Sequence, residues 1–313
     1  MSERRFSRAR STEVVVFAFL WAATALVVLP IFAILAAMLV RGAGGLTLKF
    51  VFSVKEGLLP AIIGTLYLVA LTAAIAAPVG IAAAVYLSEY ARPGPLVRLV
   101  RLSLVNLAGV PSVVYGLFGL AIFVMLLQFG RSLLAGSCTL ALLVLPLMIG
   151  AAEESLRQVP QGLRQASLAL GASRWQTTWR VVLPDALPGI ITGLILSVGR
   201  AAGETAPILF TAAFFSLTHP FPRSVFDEVL ALPYQLFVMA TEVPNVPPQS
   251  KWAAAVVLVG LVLGLNLFAI IVRARLRRAR KNDDLPHPDG PMSAVICFAG
   301  IRSVTSLTAA KLP

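Results

Sequence analysis

Six stretches of this 313-residue chain are apolar over lengths that can cross a lipid bilayer. An α-helix needs about 20 apolar residues to span the hydrocarbon core. The stretches cover approximately residues 14–40, 59–87, 102–129, 133–152, 186–217 and 252–272. Pro30 and Pro78 are compatible with membrane helices, because neighbouring helices satisfy the freed carbonyl groups. The sequence therefore predicts an all-α integral membrane protein with six transmembrane helices.

Composition excludes an ordinary soluble fold. Charged residues make up 13% of the chain and hydrophobic residues 58%, whereas about a quarter of a soluble domain is charged. So few charges cannot cover the surface of a soluble protein of this size, but a lipid-facing surface needs none. The net charge of +12 does not indicate nucleic-acid binding, because the basic residues lie between apolar stretches rather than on one patch.

The sequence lacks the residue groupings that hold metals, disulfides or nucleotides. Cys138 and Cys297 form no CxxC pair, and His219 and His287 are isolated, so neither a zinc site nor a disulfide framework is predicted. No GxxxxGK loop followed by Ser or Thr is present to cradle a phosphate. We therefore expect no metal, no cofactor and no bond chemistry on this chain. If ATP drives it, another chain binds the ATP and its Mg²⁺.

Basic residues are distributed unequally between the two sets of connecting segments. Seventeen arginines and lysines lie in the N-terminal segment, the second-to-third and fourth-to-fifth connections, and the segment after the sixth stretch. Six lie in the opposite set. Because cytoplasmic loops carry the excess of basic residues, both termini are predicted to be cytoplasmic, which agrees with an even number of spans.

The predicted organisation is one membrane domain with short flanking segments. Residues 1–13 form a cytoplasmic N-terminal segment, and residues 14–281 form the six-helix domain with a long cytoplasmic loop at 153–185. An external segment at 218–251 contains six prolines, which predicts an irregular but ordered loop. The tail at 282–313 combines proline, acidic residues and an apolar stretch too short to span, and it is predicted to be disordered.

The cytoplasmic loop has the pattern of two short helices joined by a turn. Residues 161–170 have helical periodicity, and Gly171 is typical of a helix stop. A second helix is expected at about 174–182, ended by Pro184. Periodicity alone leaves two interpretations open: a docking element for another protein, or an amphipathic elbow at the membrane surface.

Two charged residues lie near the middle of the fifth stretch. Arg200 and Glu204 are four residues apart and so share one face of a helix. A charge at mid-bilayer costs at least about 2.5–3.5 kcal/mol, so such residues face a bundle interior or water. The pair either fixes helix packing, or provides positive potential along an anion path with Glu204 holding the arginine. Gly189, Gly193 and Ser197, also four apart, predict close helix contact.

The third stretch carries polar groups at membrane depth. Asn106, Ser112 and Tyr115 flank Gly109 and Pro111, which are expected to loosen the helix locally. Hydrogen bonding between helices is the ordinary role of such polar side chains in a membrane. Together with the arginine of the fifth stretch, they could line a polar path.

The cytoplasmic loop resembles the EAA loop of ABC-importer permeases. That pattern is Glu-Ala-Ala, three residues, Gly, nine residues, then Ile-x-Leu-Pro, and here Gln, Ser and Val replace its Glu, second Ala and Ile. The corresponding positions are Gln165, Ala166, Ser167, Gly171, Val181, Leu183 and Pro184. The resemblance implies that this helix docks into a groove of an ATPase subunit and transmits its closure to the pore. Glutamine in place of glutamate implies weakened coupling at most.

Segments 106–119 and 200–207 resemble the PstA-type family of phosphate-importer permeases, and the similarity extends to about Arg280. It implies a type I, MetI-like importer permease of the bacterial inner membrane that forms half of a translocation pathway. The implied partners are a homologous PstC-type permease, two PstB-type ATPase subunits, a periplasmic PstS-type phosphate-binding protein, inorganic phosphate and membrane lipid. The implied pathway residues are Asn106, Ser112, Tyr115, Arg200, Glu204 and Thr205. The family usually ends soon after the sixth helix, so the tail departs from its pattern.

Three alternatives remain open from the sequence. The first is a permease of the same architecture for sulfate, molybdate or a polar organic solute. The second is an ion-coupled secondary carrier, which often contains inverted repeats with broken helices, although no internal repeat is evident. The third is a structural scaffold, which leaves the mid-membrane ion pair unexplained.

Overall fold

The computed structural model describes residues 2–54, 57–213 and 221–283, and within them the regular structure is helical except for one isolated bridge between Ala213 and Val229. The tail assigned to 282–313 lies outside the described residues from position 284 onward. The helices are α1 (Ser2–Gly42), α2 (Leu48–Phe52), α3 (Leu59–Val85), α4 (Pro95–Ala108), α5 (Ser112–Gly119), α6 (Leu133–Arg157), α7 (Gln161–Ala169), α8 (Arg174–Thr177), α9 (Leu183–Gly203), α10 (Ala206–Thr211), α11 (Leu232–Thr241) and α12 (Pro248–Asp283).

Five helices of the described chain are long and apolar enough to cross a membrane. They cover Val16–Gly45, Leu59–Tyr90, Leu133–Arg157, Arg174–Gly203 and Pro248–Arg275. A sixth span is formed only if Pro95–Ala108 and Ser112–Leu126 are taken together as one bent crossing. The prediction of six spans holds in this form, with one of the six broken.

The third predicted span is two helices and not one. α4 and α5 are bent by 104° at a break around Gly109. Pro111 cannot donate a hydrogen bond, and it disfavours the helical conformation of the residue before it. The local loosening expected from the sequence is therefore a complete interruption of the helix.

The fifth predicted span is displaced and also broken. It begins at Arg174, because a π-helical turn at Thr178–Val182 joins α8 to α9 without interruption. Pro184 therefore does not end a helix, contrary to the sequence-based expectation. It lies in the first turn of α9, where a proline is tolerated, directly after the wider turn. The helix ends at Gly203 and resumes at Ala206 as α10.

α3, α6 and α9 form the centre of the bundle. Side chains from the middle of α3 and α6 pack with residues of α5 and α9 in one apolar cluster. Glycines bring α9 close to α6, since a Cβ at Gly189 would meet Ser155 and one at Gly193 would meet Ala151. The close contact predicted from the four-residue spacing is confirmed at these two positions. α1 and α12 pack on each other at the edge, with exposed apolar side chains.

The proline-rich segment predicted at 218–251 contains a helix that the sequence analysis did not predict. α11 begins with Pro233 in its first turn, where the missing N–H group has no helical partner to lose. It is held against α3 by a hydrogen bond of 2.9 Å that the backbone N–H of Leu232 donates to Oγ1 of Thr65. Residues 221–251 are therefore partly helical and not wholly irregular, and positions 218–220 of the segment lie outside the described residues.

Gly64 offers a test of this packing, because a Cβ there would run into the backbone carbonyl of Leu230. We expect Gly64→Ala to destabilise the protein by about 1–3 kcal/mol, because the backbone cannot move aside as a side chain can. The Tm of purified protein in detergent measures the effect. Gly150→Ala is the control, since its added Cβ has open space around it, and an equal Tm for both variants would contradict this packing.

Candidate translocation site and the adjoining elbow

The two helix breaks lie beside each other near the middle of the bundle. Tyr115, in the first turn after one break, packs in the same cluster as Ala201, which lies just before the other. The cluster also contains Ala76 and Val144, which lie near the midpoints of α3 and α6. A Cβ added at Gly116 would meet the first residues of α10, so α5 and α10 are in close contact. The six predicted pathway residues therefore flank two interruptions at one depth.

The predicted pair of opposite charges forms at the second break. Nε of Arg200 donates to Oε1 of Glu204 over 3.4 Å, with the side chains 37% and 19% exposed. Glu204 is not inside the helix, as the sequence suggested, but caps its end in extended conformation. In the described residues Glu204 is the only hydrogen-bond partner of the Arg200 side chain. The terminal amino groups of Arg200 have no hydrogen-bond partner among the described residues.

Tyr115 ties the first break together. Its hydroxyl donates to the backbone carbonyl of Leu107 over 3.0 Å, across the interruption. The same carbonyl accepts the N–H of Val110 over 3.1 Å. The bond gives the hydroxyl of the buried Tyr115 a partner, and an unpaired polar group in an apolar interior is costly, so the bond contributes to holding the two half-helices in place. This contact favours a structural role for Tyr115 and not direct contact with a substrate.

The remaining predicted pathway residues occupy more open positions. Asn106 is exposed near the end of α4, and Ser112 is half-buried as the first residue of α5. Thr205 is half-buried and precedes α10. The structure brings these residues to the two breaks but shows no hydrogen bond between their side chains. Asn106 and Arg200 are the more exposed polar groups of the set.

The elbow, defined here as residues 161–182, has the predicted helix–turn–helix form at its start. α7 ends in a Schellman motif, with Gly171 in the left-handed conformation at φ +85°. The N–H of Ala172 bonds to the carbonyl of Ser167 over 3.3 Å, and the N–H of Gly171 to that of Leu168 over 3.0 Å. Ser173 then opens α8 with a capping box.

The positions that resemble the EAA pattern divide into buried and exposed ones. Ser167 is buried, and its hydroxyl lies 3.0 Å from that of Thr177, which closes the two helices of the elbow. Gln165 is exposed and lines a polar cavity of about 380 Å³ between the elbow and the end of α3. Ala166 is half-buried on α7, and Leu183 and Pro184 are half-buried at the start of α9.

An ion pair that the sequence analysis missed connects this elbow to α3. Nη2 of Arg164 lies 2.9 Å from Oε1 of Glu89, with the side chains 11% and 13% exposed. The two residues are 75 positions apart in the chain, and no spacing rule relates them. The only signal in the sequence was an acidic residue after an apolar stretch, on the side that carries most arginines.

A second ionic cluster joins α4 to α6. Oε1 of Glu153 lies 2.8 Å from Nη2 of Arg101 and 2.7 Å from Nη2 of Arg157. Arg101 also donates to the carbonyl of Leu87 at the end of α3, over 3.1 Å. The contact between Glu153 and Arg157 has helical spacing and was accessible from the sequence. The contact with Arg101 depends on how α4 is placed.

The side chains at the two breaks are hydrogen-bonding groups. Among the described residues, His, Cys, Asp and Glu form no group of three or more that could hold a metal ion. The breaks carry the guanidinium group of Arg200, amide and hydroxyl groups, and the ends of half-helices. Planar guanidinium groups recognise oxyanions through paired hydrogen bonds.

The chain matches a known family over most of this region. Residues 76–282 match the model of the binding-protein-dependent transport system inner membrane component. The chain belongs to this family. It is therefore a transporter permease subunit of the inner membrane, and membership implies an ATPase partner and a substrate-binding protein.

Curated relatives and solved structures agree with this assignment. The permease is 38% identical over 226 residues to the phosphate transport system permease protein PstA 1 of Mycobacterium tuberculosis, covering 72% of each chain. It is 35% identical over 218 residues to the PstA protein of Pasteurella multocida, covering 69% of this chain and 76% of that one. A chain of the inward-facing MetNI methionine ABC transporter superposes with a TM-score of 0.56 at 19% identity, covering 70% of this chain and 95% of that one. The fold is that of a MetI-like ABC importer permease.

The structural role of Tyr115 can be tested by removing its hydroxyl. We expect Tyr115→Phe to destabilise the permease by about 1 kcal/mol, because the bond across the break is lost while the ring still packs. The Tm in detergent measures this effect, and Tyr86→Phe, at an exposed tyrosine, is the control. A Tm for Tyr115→Phe equal to that of the unaltered permease would show that the break does not depend on this bond.

Proposed function

We propose that this chain is the permease subunit of an ATP-driven, binding-protein-dependent importer of inorganic phosphate, and that it forms half of the translocation pathway. The observation that carries the proposal is Arg200, an arginine at mid-bundle depth whose terminal amino groups have no partner among the described residues. Relatives named as phosphate transport permeases share 35–39% identity with the chain. An arginine fork suits a tetrahedral oxyanion better than it suits a neutral solute.

Glu204 lowers the positive potential at Arg200, so that a bound anion can be released as well as attracted. A lone guanidinium in a low-dielectric site would hold phosphate strongly and release it slowly. The carboxylate, 3.4 Å from Nε, offsets part of the positive potential and orients the side chain. The ligand is therefore attracted by hydrogen bonds from the terminal amino groups while the net field remains modest. Asn106, Ser112 and Thr205 extend the polar lining on both sides of the breaks.

The proposed complex contains a PstC-type permease, two PstB-type ATPase subunits and a periplasmic PstS-type phosphate-binding protein. ATP and Mg²⁺ are bound by the ATPase subunits. The binding protein delivers phosphate to the outer mouth, and ATP-driven closure of the ATPases moves the elbow. Gln165, exposed on α7, contacts the ATPase groove in this scheme. The permease exposes the two breaks alternately to the two sides and performs no bond chemistry.

Labelled-phosphate uptake tests the substrate and the role of Arg200 together. The cells lack their own high-affinity system and carry this chain with its candidate partners. We expect Arg200→Ala to lower uptake by about ten- to a hundredfold, because a charge-assisted hydrogen bond contributes about 1.5–3 kcal/mol. Arg92→Ala, at an exposed arginine in the turn before α4, is the matched control and should retain uptake.

Each result has a distinct meaning. Uptake retained by Arg200→Ala would assign Arg200 to helix packing. No phosphate uptake by a correctly assembled unaltered complex would contradict the phosphate proposal, and competition with sulfate and molybdate would then identify the anion.

The proposed orientation places both termini in the cytoplasm. We expect a fluorescent protein fused to either end to fluoresce in intact cells, because the fusion partner remains in the cytoplasm where it folds. A cysteine introduced at Arg223, which is exposed between α10 and α11, should react with a membrane-impermeant maleimide from outside. Labelling only after cell lysis would contradict this orientation.

A further inference from the structure

The joint between the elbow and α3 consists of Glu89, Tyr90, Arg164 and Thr178. Besides the ion pair, the hydroxyl of Tyr90 lies 3.5 Å from that of Thr178. Glu89 and Tyr90 lie in the π-helical turn Tyr86–Tyr90, and Thr178 begins the π-helical turn Thr178–Val182, whereas Arg164 lies on α7. A π-helical turn adds one residue to a helix and is frequent at functional sites. At the end of α3 the wider turn carries the residue that reaches Arg164.

Arg164 connects three parts of the chain at once. Its Nη1 donates to the carbonyl of Val159 over 2.6 Å, and its Nη2 donates to that of Leu156 over 2.7 Å. Leu156 is in the last turn of α6, where carbonyl groups have no partner within the helix. The arginine therefore caps α6 from α7, and its remaining hydrogen bond goes to Glu89 on α3.

The order of the helices along the chain explains why the ion pair between Glu89 and Arg164 matters for movement of α3. α6 and α9 are joined directly to the two ends of the elbow, so they must follow it. α3 has no such connection. It packs against α6 and α9 along its length, and its midpoint reaches the depth of the two breaks through Ala76. The joint adds a direct contact between α7 of the elbow and the end of α3, so a displacement of α7 is passed to α3 at that point as far as the joint is rigid.

Burial makes the joint rigid. Both side chains are nearly nine-tenths covered, so water and salt screen the pair far less than an exposed pair. Removing one partner leaves the other charge buried and unpaired, which is strongly unfavourable. The pair therefore strongly favours one arrangement of elbow and α3 over a separated one.

We propose that Glu89 and Arg164 are positioning residues that make α3 move with the elbow, so that ATP-driven movement of the elbow reaches the mid-membrane breaks. The proposal rests on the importer function proposed above and assigns these two residues a part in its energy coupling. Neither residue contacts the transported ion in this scheme.

The test measures phosphate imported per ATP hydrolysed by the complete complex in proteoliposomes. The variants are Glu89→Gln, Arg164→Gln and the double variant. We expect each single change to lower the ratio by roughly tenfold and the double variant to lower it no further, because the residues act as one unit. ATP hydrolysis should stay within about twofold of the unaltered complex, since a joint inside the permease leaves the ATPase chemistry intact. Glu154→Gln, at an exposed carboxylate on α6, is the control.

Two outcomes would overturn the proposal. An unchanged ratio in both single variants would show that α3 follows the elbow without the pair. A fall in import and hydrolysis in equal proportion would show that the pair only maintains the fold or the ATPase contact.

A second readout does not depend on the substrate. Spin labels at Tyr86→Cys and Gly162→Cys, with Cys138 and Cys297 replaced by alanine, report the distance between the end of α3 and α7. Tyr86 is 61% exposed, and Gly162 has open space for a side chain. When the pair is intact, we expect the distance between the labels to be the same with and without trapped ATP. In Glu89→Gln we expect this distance to change when ATP is trapped. Identical label distances in the unaltered complex and in Glu89→Gln would contradict the proposed role of the joint. Failure of phosphate import in the unaltered complex would contradict only the proposal that phosphate is the substrate.

Discussion

The structure depends on the requirement that every backbone polar group in the hydrocarbon core finds a partner within the protein. A helix can be interrupted at that depth only where neighbouring elements cover the break. α3, α6 and α9 supply this cover by packing closely at their midpoints. At the first break the Leu107 carbonyl accepts two hydrogen bonds, one of them from Tyr115. The tight bundle therefore permits the two open helix ends that make a polar site possible.

The charges of the permease are used in two different environments. Arg200 and Glu204 are held at 3.4 Å and remain partly exposed. Glu89 and Arg164 are held at 2.9 Å and are almost nine-tenths covered, at the edge of a polar cavity. In the proposed function the first arrangement serves binding and release. The second is suited to keeping two elements together while other parts of the protein move.

The ionic groups around Glu89 and Glu153 connect the elements that carry the breaks. Arg164 joins α7 to α6 and α3, and Arg101 joins α4 to α6 and α3. α4 ends at the first break, and α9, which is continuous with the elbow, ends at the second. This end of the bundle is thus a connected frame, and the two helices that end at the breaks extend from it. In the proposed mechanism, movement of this frame changes the site without any contact between the ATPase and the transported ion.

The amino-acid sequence by itself determined the membrane class, the number of apolar stretches and the Gly171 turn, because these depend on local hydropathy and on backbone preferences of single residues. It also placed Arg200 and Glu204 together, since four residues separate them. Only the tertiary structure decided that Pro111 lies at a break while Pro184 lies within a continuous helix. Neighbouring packing and the π-helical turn determine whether the freed carbonyls are satisfied. The pairs of Glu89 with Arg164 and of Glu153 with Arg101 lie 75 and 52 positions apart. Contacts over such distances follow from the placement of whole helices, which no local pattern records.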